Sequence, residues 1–167
     1  MNAILSTRRS DLRESVFVFL RWAMGALLIY MGLVKAVQPV EFLKLVREYK
    51  VIVDPLVLSA IAGLLPWLEV FLGLTLALGV AVRGSALLLV TMLVPFTFAA
   101  LQRALAISAA NAIPFWAVRF DCGCGLGEVW IVQKLAENTL LIAVSLGLLT
   151  GLGRRLSARY DLVKREP

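Results

Sequence analysis

Two thiols separated by one residue are the part of this 167-residue sequence best equipped for chemistry. Cys122 and Cys124 are its only cysteines, and they lie in Arg119-Phe120-Asp121-Cys122-Gly123-Cys124-Gly125-Leu126-Gly127-Glu128, a glycine-rich stretch that must bend tightly. A disulfide across a single residue closes a very small ring, and strained bridges are reduced more readily than relaxed structural ones. The pair therefore suits thiol-disulfide exchange better than a permanent staple. Arg119 favours a thiolate by its charge and Asp121 opposes one, so the sequence assigns no direction to either thiol pKa. A plainer reading stays open, in which these are ordinary loop cysteines, reduced or statically bridged. A metal centre is a weaker rival, because two thiolates leave zinc two ligands short and the sequence contains no histidine. That absence also removes imidazole acid-base catalysis and His-ligated haem.

A second set of residues is conspicuous because of where it falls. Glu69 sits near the middle of a long apolar stretch, three residues after Pro66, and a carboxyl at that depth must face other helices, be paired, or be protonated. Pro66 and Pro95 each remove a backbone donor from a helical segment, and Pro66 is expected to free the carbonyl of Ala62 on the side of Glu69. Lys35, Arg103, Lys134 and Glu137 fall toward the same end of their segments as the cysteine loop, with Glu69 beneath them. Lys35 and Lys134 are long enough to snorkel to an interface, whereas Glu137 and Asn138 lie deeper. Arg21 reads as an interface anchor at the opposite end. Glu69 can be read as a proton-handling group, or as an inward carboxyl satisfied by a neighbouring cation.

The elements that must position these groups follow from composition. The chain is 60% hydrophobic and only 17% charged, with a mean hydropathy of +0.88, more apolar surface than one soluble domain of this length can hide. Four apolar spans are expected at about 16–36, 56–82, 84–107 and 130–151, each near the length a helix needs to cross the hydrocarbon core. The first lacks a small-residue cleavage pattern and reads as a retained helix. Between the first two, residues 39–50 form a short interfacial helix, with Val40, Leu43 and Val46 at helical spacing and charges on other faces. The fold class is thus all-α, one four-transmembrane-helix bundle over residues 1–167 with the Cys-Gly-Cys loop at 119–128. Glycines 25, 32, 63, 73, 79, 84 and 147 permit close helix approach.

Basic residues outside the spans set the orientation. Arg8, Arg9, Arg13, Arg83, Arg154, Arg155, Arg159, Lys164 and Arg165 fall on the side of the termini, and Lys44, Arg47, Lys50 and Arg119 on the other. Nine against four places both termini in the cytoplasm and the cysteine loop outside, where disulfides persist. The net charge of +6 is then a property of helix ends, and nucleic acid is excluded as a partner. Tyr30, Trp67, Trp116 and Trp130 fall at depths suited to aromatic belts.

Three blocks carry a family resemblance: Arg21 through Gly25 with Gly32-Leu33-Val34-Lys35; Leu65-Pro66-Trp67-Leu68-Glu69 with Gly73 and Gly79; and the Cys-Gly-Cys loop. The sequence resembles the DoxX/MauE-like superfamily of small four-helix membrane proteins, with the MauE-type branch of methylamine utilisation nearest. Family members commonly have Cys-Gly-Cys-Phe-Gly; here Leu126 follows Gly125 and the next glycine is Gly127. The resemblance implies a component of a thiol or quinone redox system in a bacterial inner membrane. It would act with a periplasmic thioredoxin-like protein or support disulfide formation in an exported enzyme. Cys122 and Cys124 would exchange with that partner, Glu69 would handle protons, and Lys35, Arg103 and Glu137 would line a site for a membrane acceptor such as quinone. No metal is expected. The alternative is a non-catalytic integral subunit that anchors or stabilises a larger membrane complex.

Overall fold

A computed structural model describes residues 2–49, 54–121, 127–154, 156–158 and 161, with side chains described from residue 11 onward. Its helices are α1 (Asn2–Val37), the short α2 (Pro39–Glu48), α3 (Pro55–Leu78), α4 (Val82–Asn111) and α5 (Ile131–Leu149). Four of them are long and apolar enough to cross a membrane, over Asp11–Val37, Pro55–Leu78, Val82–Asn111 and Ile131–Leu149. Two short strands, β1 (Arg119–Asp121) and β2 (Glu128–Trp130), form an antiparallel hairpin that the sequence did not announce.

Local chemistry explains the boundaries. Pro39 disfavours helical geometry at Gln38, so α1 ends and α2 begins with proline in its first turn. Asp54 caps α3 by accepting hydrogen bonds from the backbone N–H groups of Leu56 and Val57 at 2.8 and 3.2 Å, again with proline following. The expected extension of this span to residue 82 is corrected by Gly79. Its left-handed φ of 69° ends the helix at Leu78, with Val80 N–H donating back to the carbonyl of Thr75 at 2.9 Å. In the other direction, α4 runs four residues beyond 107, to Asn111.

The interfacial helix exists as expected but rests on a different residue. Phe42 is its buried side chain, while Val40 is 62% exposed. Lys50 lies outside the described residues.

Helices α1 and α3 approach most closely, through small residues. A Cβ on Gly25 would stand 2.8 Å from the carbonyl oxygen of Gly73, and one on Gly32 would stand 2.6 Å from that of Pro66. Small residues at such a crossing let the backbones touch. Gly147 is filled by the Phe17 ring in the same way, but Gly63 and Gly84 face open space.

One core at the end of the termini unites Met24, Leu28, Leu72, Leu76, Leu89 and Leu148. A second cluster, at the α2 end, packs Ala100 and Ala104 of α4 against Val118, Phe120 and Ile131. Large apolar side chains such as Phe19, Trp67, Phe71, Phe98 and Leu140 point outward, as expected where lipid is the solvent.

Candidate functional site

The α1–α3 crossing determines the centre of the site. Lys35 follows Gly32 by one helical turn and Glu69 follows Pro66 by one turn, so the contact between Gly32 and Pro66 brings the two charges face to face. The Lys35 ammonium donates to both carboxylate oxygens of Glu69, at 2.6 and 2.7 Å. The pair is deeply buried, Lys35 7% and Glu69 4% exposed. The Phe42 ring of α2 lies over the ammonium, 5.4 Å from the nitrogen to the ring centroid. Lys35 therefore does not snorkel; it turns inward, because a carboxylate in lipid is a stronger attraction than the interface is to a lysine.

Around this pair the interior is not fully packed. A cavity of about 50 Å³ is lined by Lys35, Glu69, Lys134, Asn138, Met31 and Tyr49, among others. That is room for a few waters. Lys134 and Asn138 sit one turn apart on α5 and so share its inward face, where Asn138 donates to Thr97 of α4 at 2.9 Å. Lys134, half-buried, contributes to the cavity wall. On the α2 side, a cleft of about 260 Å³ is lined by Lys35, Phe42, Gln38, Glu41 and Asp121. Laterally, an apolar pocket of about 250 Å³ lies between α2, α3 and α4, lined by Val46, Tyr49, Ile61, Leu65, Pro95 and Phe96. Tyr49 and Phe96 line both this pocket and the inner cavity, and Lys35 and Phe42 line both the cavity and the cleft.

Above the pair, Arg103 of α4 ties three elements together. It forms an ion pair with Glu48 at the end of α2. Its guanidinium lies over the rings of Tyr49 and Phe120, 5.1 and 5.5 Å from their centroids. Burial pushes the Tyr49 phenol up to about 12, against the pull of Arg103 and with Asp121 and Glu48 adding to the rise. Tyr49 thus keeps its proton across physiological pH.

The hairpin fixes where the cysteine loop leaves the fold. Phe120 pairs with Val129 and both are buried, while Arg119 stands opposite Trp130 with its guanidinium 4.4 Å from the ring centroid. Asp121, the last residue of β1, lines the same cleft as Lys35. Cys122 and Cys124 themselves lie outside the described residues.

Of the residues singled out from the sequence, the fold joins Lys35 to Glu69. Arg103 sits above them in the clamp just described and not in the lining of the inner cavity. Glu137 accepts a hydrogen bond from Gln133 on its own helix at 2.9 Å and is likewise absent from that lining. Tyr49, Asp121 and the inward roles of Lys134 and Thr97 were not anticipated. The one-turn spacings of Lys134 to Asn138 and of Met31 to Lys35 were signals of shared faces. Nothing local marks Tyr49, whose position depends on how α2 folds back.

The opposite end holds another buried cation. Arg21 is fully buried and donates to the backbone carbonyls of Gly153 and Leu156, both at 2.9 Å. It is a fastening for the chain after α5 and not the interface anchor expected.

A family model, Methylamine utilisation protein MauE, matches residues 13–151. No curated protein and no solved structure matches the chain.

Proposed function

The chain belongs to the MauE family of membrane proteins, and from that premise we propose that it is a membrane thiol-disulfide relay serving an exported partner. The family membership and the four apolar helices support a membrane accessory role. The relay adds chemistry to it. A thiolate of a periplasmic thioredoxin-like partner attacks one sulfur of a Cys122–Cys124 disulfide, forming a mixed disulfide and releasing the other cysteine as a thiolate. The second partner thiol resolves the mixed disulfide, leaving the partner oxidised and the Cys-Gly-Cys pair reduced. Reclosing the pair passes two electrons and two protons to a membrane acceptor.

A quinone is the acceptor that this chemistry favours, since a lipid-soluble ring takes up two electrons and two protons together. The inner cavity is too small for a ring, but the lateral apolar pocket is about five times larger and borders it at Tyr49. Tyr49, protonated at physiological pH, supplies a polar edge to an otherwise apolar wall. Glu69, held by Lys35, is the carboxylate in the lining of the cavity that Tyr49 borders, and is the group we assign to exchange protons with the acceptor. In this reading the protein sits in a bacterial inner membrane with both termini cytoplasmic and the cysteine loop outside, following the basic-residue asymmetry.

The observation that carries the reading is the shared cleft: Asp121, the neighbour of Cys122, lines the same opening as Lys35, whose partner Glu69 is the buried carboxylate. The strand that leads into the cysteine pair therefore ends at a cleft that the partner of Glu69 also lines. Mixed-disulfide trapping tests it. Cys122→Ser and Cys124→Ser, separately, leave one attacking thiol without its resolving neighbour, and a partner should accumulate as a reducible covalent adduct on at least one of them. No adduct from either variant would contradict the relay.

A further inference from the structure

We propose that the Lys35–Glu69 site is a half-channel: it exchanges water and protons with the hairpin face of the protein and is sealed from the opposite face. This deepens the relay reading, on which its proton chemistry rests, by assigning a route and a side to the protons.

The open half is a chain of adjoining spaces. The cleft on the hairpin face is lined by Gln38, Glu41 and Asp121 together with the buried Lys35. Lys35 and Phe42 also line the inner cavity, where Glu69, Lys134 and Asn138 add polar groups. Each wall shared by two spaces thus includes a polar side chain, and the cavity has room for the waters needed to link them. The Phe42 ring, over the Lys35 ammonium, belongs with it to the wall that cleft and cavity share.

The closed half is apolar and tightly packed. Beneath Glu69, Leu72 and Leu76 of α3, Val82, Ala86 and Leu89 of α4, and Leu148 of α5 are all at 0% exposure. From Val82 to Leu93, α4 contributes about three turns to this plug, roughly 16 Å of helix. The hydroxyls within it are satisfied internally. Thr75 and Ser85 share a hydrogen bond of 2.8 Å, and Ser145 donates to the carbonyl of Leu141 at 2.7 Å. At its far end the fully buried Arg21 guanidinium is held by the carbonyls of Gly153 and Leu156, and the groove of about 620 Å³ on that face, lined by Ser15, Val18, Phe19, Trp22 and Leu156, shares no lining residue with the inner cavity.

The consequence for the relay is directional. Two thiols give up two electrons and two protons when they close to a disulfide, and both protons appear at the hairpin face. Through the half-channel those protons reach the Glu69 carboxylate, and from it an acceptor at the Tyr49 edge, without crossing the membrane. The transfer then moves no net charge across the bilayer.

Silver-ion accessibility tests the half-channel independently of the relay. In full-length protein carrying Cys122→Ser and Cys124→Ser, single cysteines are placed in the cavity wall (Met31→Cys, Asn138→Cys) and in the plug (Leu72→Cys, Leu76→Cys). Ag⁺ is applied to right-side-out spheroplasts and to inverted vesicles, and thiols left unreacted are counted with maleimide after solubilisation. The hairpin side is defined by an impermeant maleimide on the native cysteines. The expected result is loss of labelling at Met31→Cys or Asn138→Cys with Ag⁺ from the hairpin side only, and full labelling at both plug positions from either side. Two cavity positions keep the test decisive should one variant misfold. Reaction from the opposite face, or no reaction from either face at both cavity positions, overturns the proposal. Because the background lacks the native thiols, success here with no trapped adduct would refute the relay and leave the half-channel standing.

Discussion

The two ends of the bundle each bury a cation, and they satisfy it in opposite ways. Arg21 presents a planar fork to two backbone carbonyls, which are neutral, immobile and unable to take a proton. Lys35 faces a carboxylate, which can accept a proton, and both line a cavity. The end with Arg21 has an outer groove of about 620 Å³ lined by Ser15, Val18, Phe19, Trp22 and Leu156, but Arg21 itself is not in its lining; Lys35 lines an inner cavity of about 50 Å³ and a cleft of about 260 Å³. One arrangement suits a fastening, and the other has the donor, acceptor and space that the proposed proton chemistry needs. Burial of a charge alone therefore says little about function; the nature of its partner and the space around it say more.

The largest effect should come from separating the ion pair. Lys35→Met leaves Glu69 buried and unpaired, a loss of about 3–5 kcal/mol of stability when one partner of a buried pair is removed. Combining Lys35→Met with Glu69→Leu should restore most of the melting temperature but not function, measured by maturation of the exported partner. Glu128→Leu, on the exposed side of β2, serves as a control with wild-type behaviour. Recovery of function in the double variant would make the pair a fastening like Arg21 and erase the contrast.

A smaller, purely structural effect is expected at the other end. Arg21→Lys replaces the fork with a single ammonium that cannot hold both carbonyls with the same geometry. The loss is on the order of 1.5–3 kcal/mol, the worth of a hydrogen bond from a charged group. The melting temperature in detergent should fall while activity per folded molecule stays unchanged. A selective loss of activity would give Arg21 a part in the chemistry.

The smallest effect is spectroscopic. With its proton held to about 12, above the ordinary phenol value near 10, Tyr49 is neutral in the folded protein where it would ionise in the unfolded chain. Its contribution to stability is therefore full below about pH 10 and lost as pH rises toward 12. Phenolate absorbance of wild type minus Tyr49→Phe should show a component titrating near pH 12, and the variant should lose less stability over that interval. A component near 10 would mean that Tyr49 is open to water, and the boundary between the two cavities would have to be redrawn.

Much of this arrangement can be read in the sequence, and the rest depends on contacts that no local pattern encodes. Four apolar spans and an amphipathic connector follow from hydropathy and periodicity, because a helix in lipid must satisfy its own backbone. Glu69 stands out for the same reason. Whether Lys35 turns inward or snorkels is decided by which helix it meets, and that depends on Gly25, Gly32 and Gly73 allowing α1 and α3 to touch. The fate of Arg21 depends on the chain doubling back after α5, where Gly151 and Gly153 adopt left-handed backbone conformations with φ of 98° and 76°. Tyr49 and Asp121 enter the site from elements far apart in sequence, so only the packing of α2 and the hairpin reveals them. The match to the MauE model over residues 13–151 supports the branch named from the three sequence blocks; the wider DoxX likeness rests on those blocks alone.

The relay depends most directly on the two thiols. The decisive measurement is maturation of the exported partner in cells carrying the Cys122→Ser, Cys124→Ser double variant, expressed and membrane-inserted at wild-type level. The relay predicts that maturation fails, with the partner's thiols remaining reduced. Full maturation would contradict it and leave the protein as a non-catalytic subunit that anchors or stabilises a larger membrane complex.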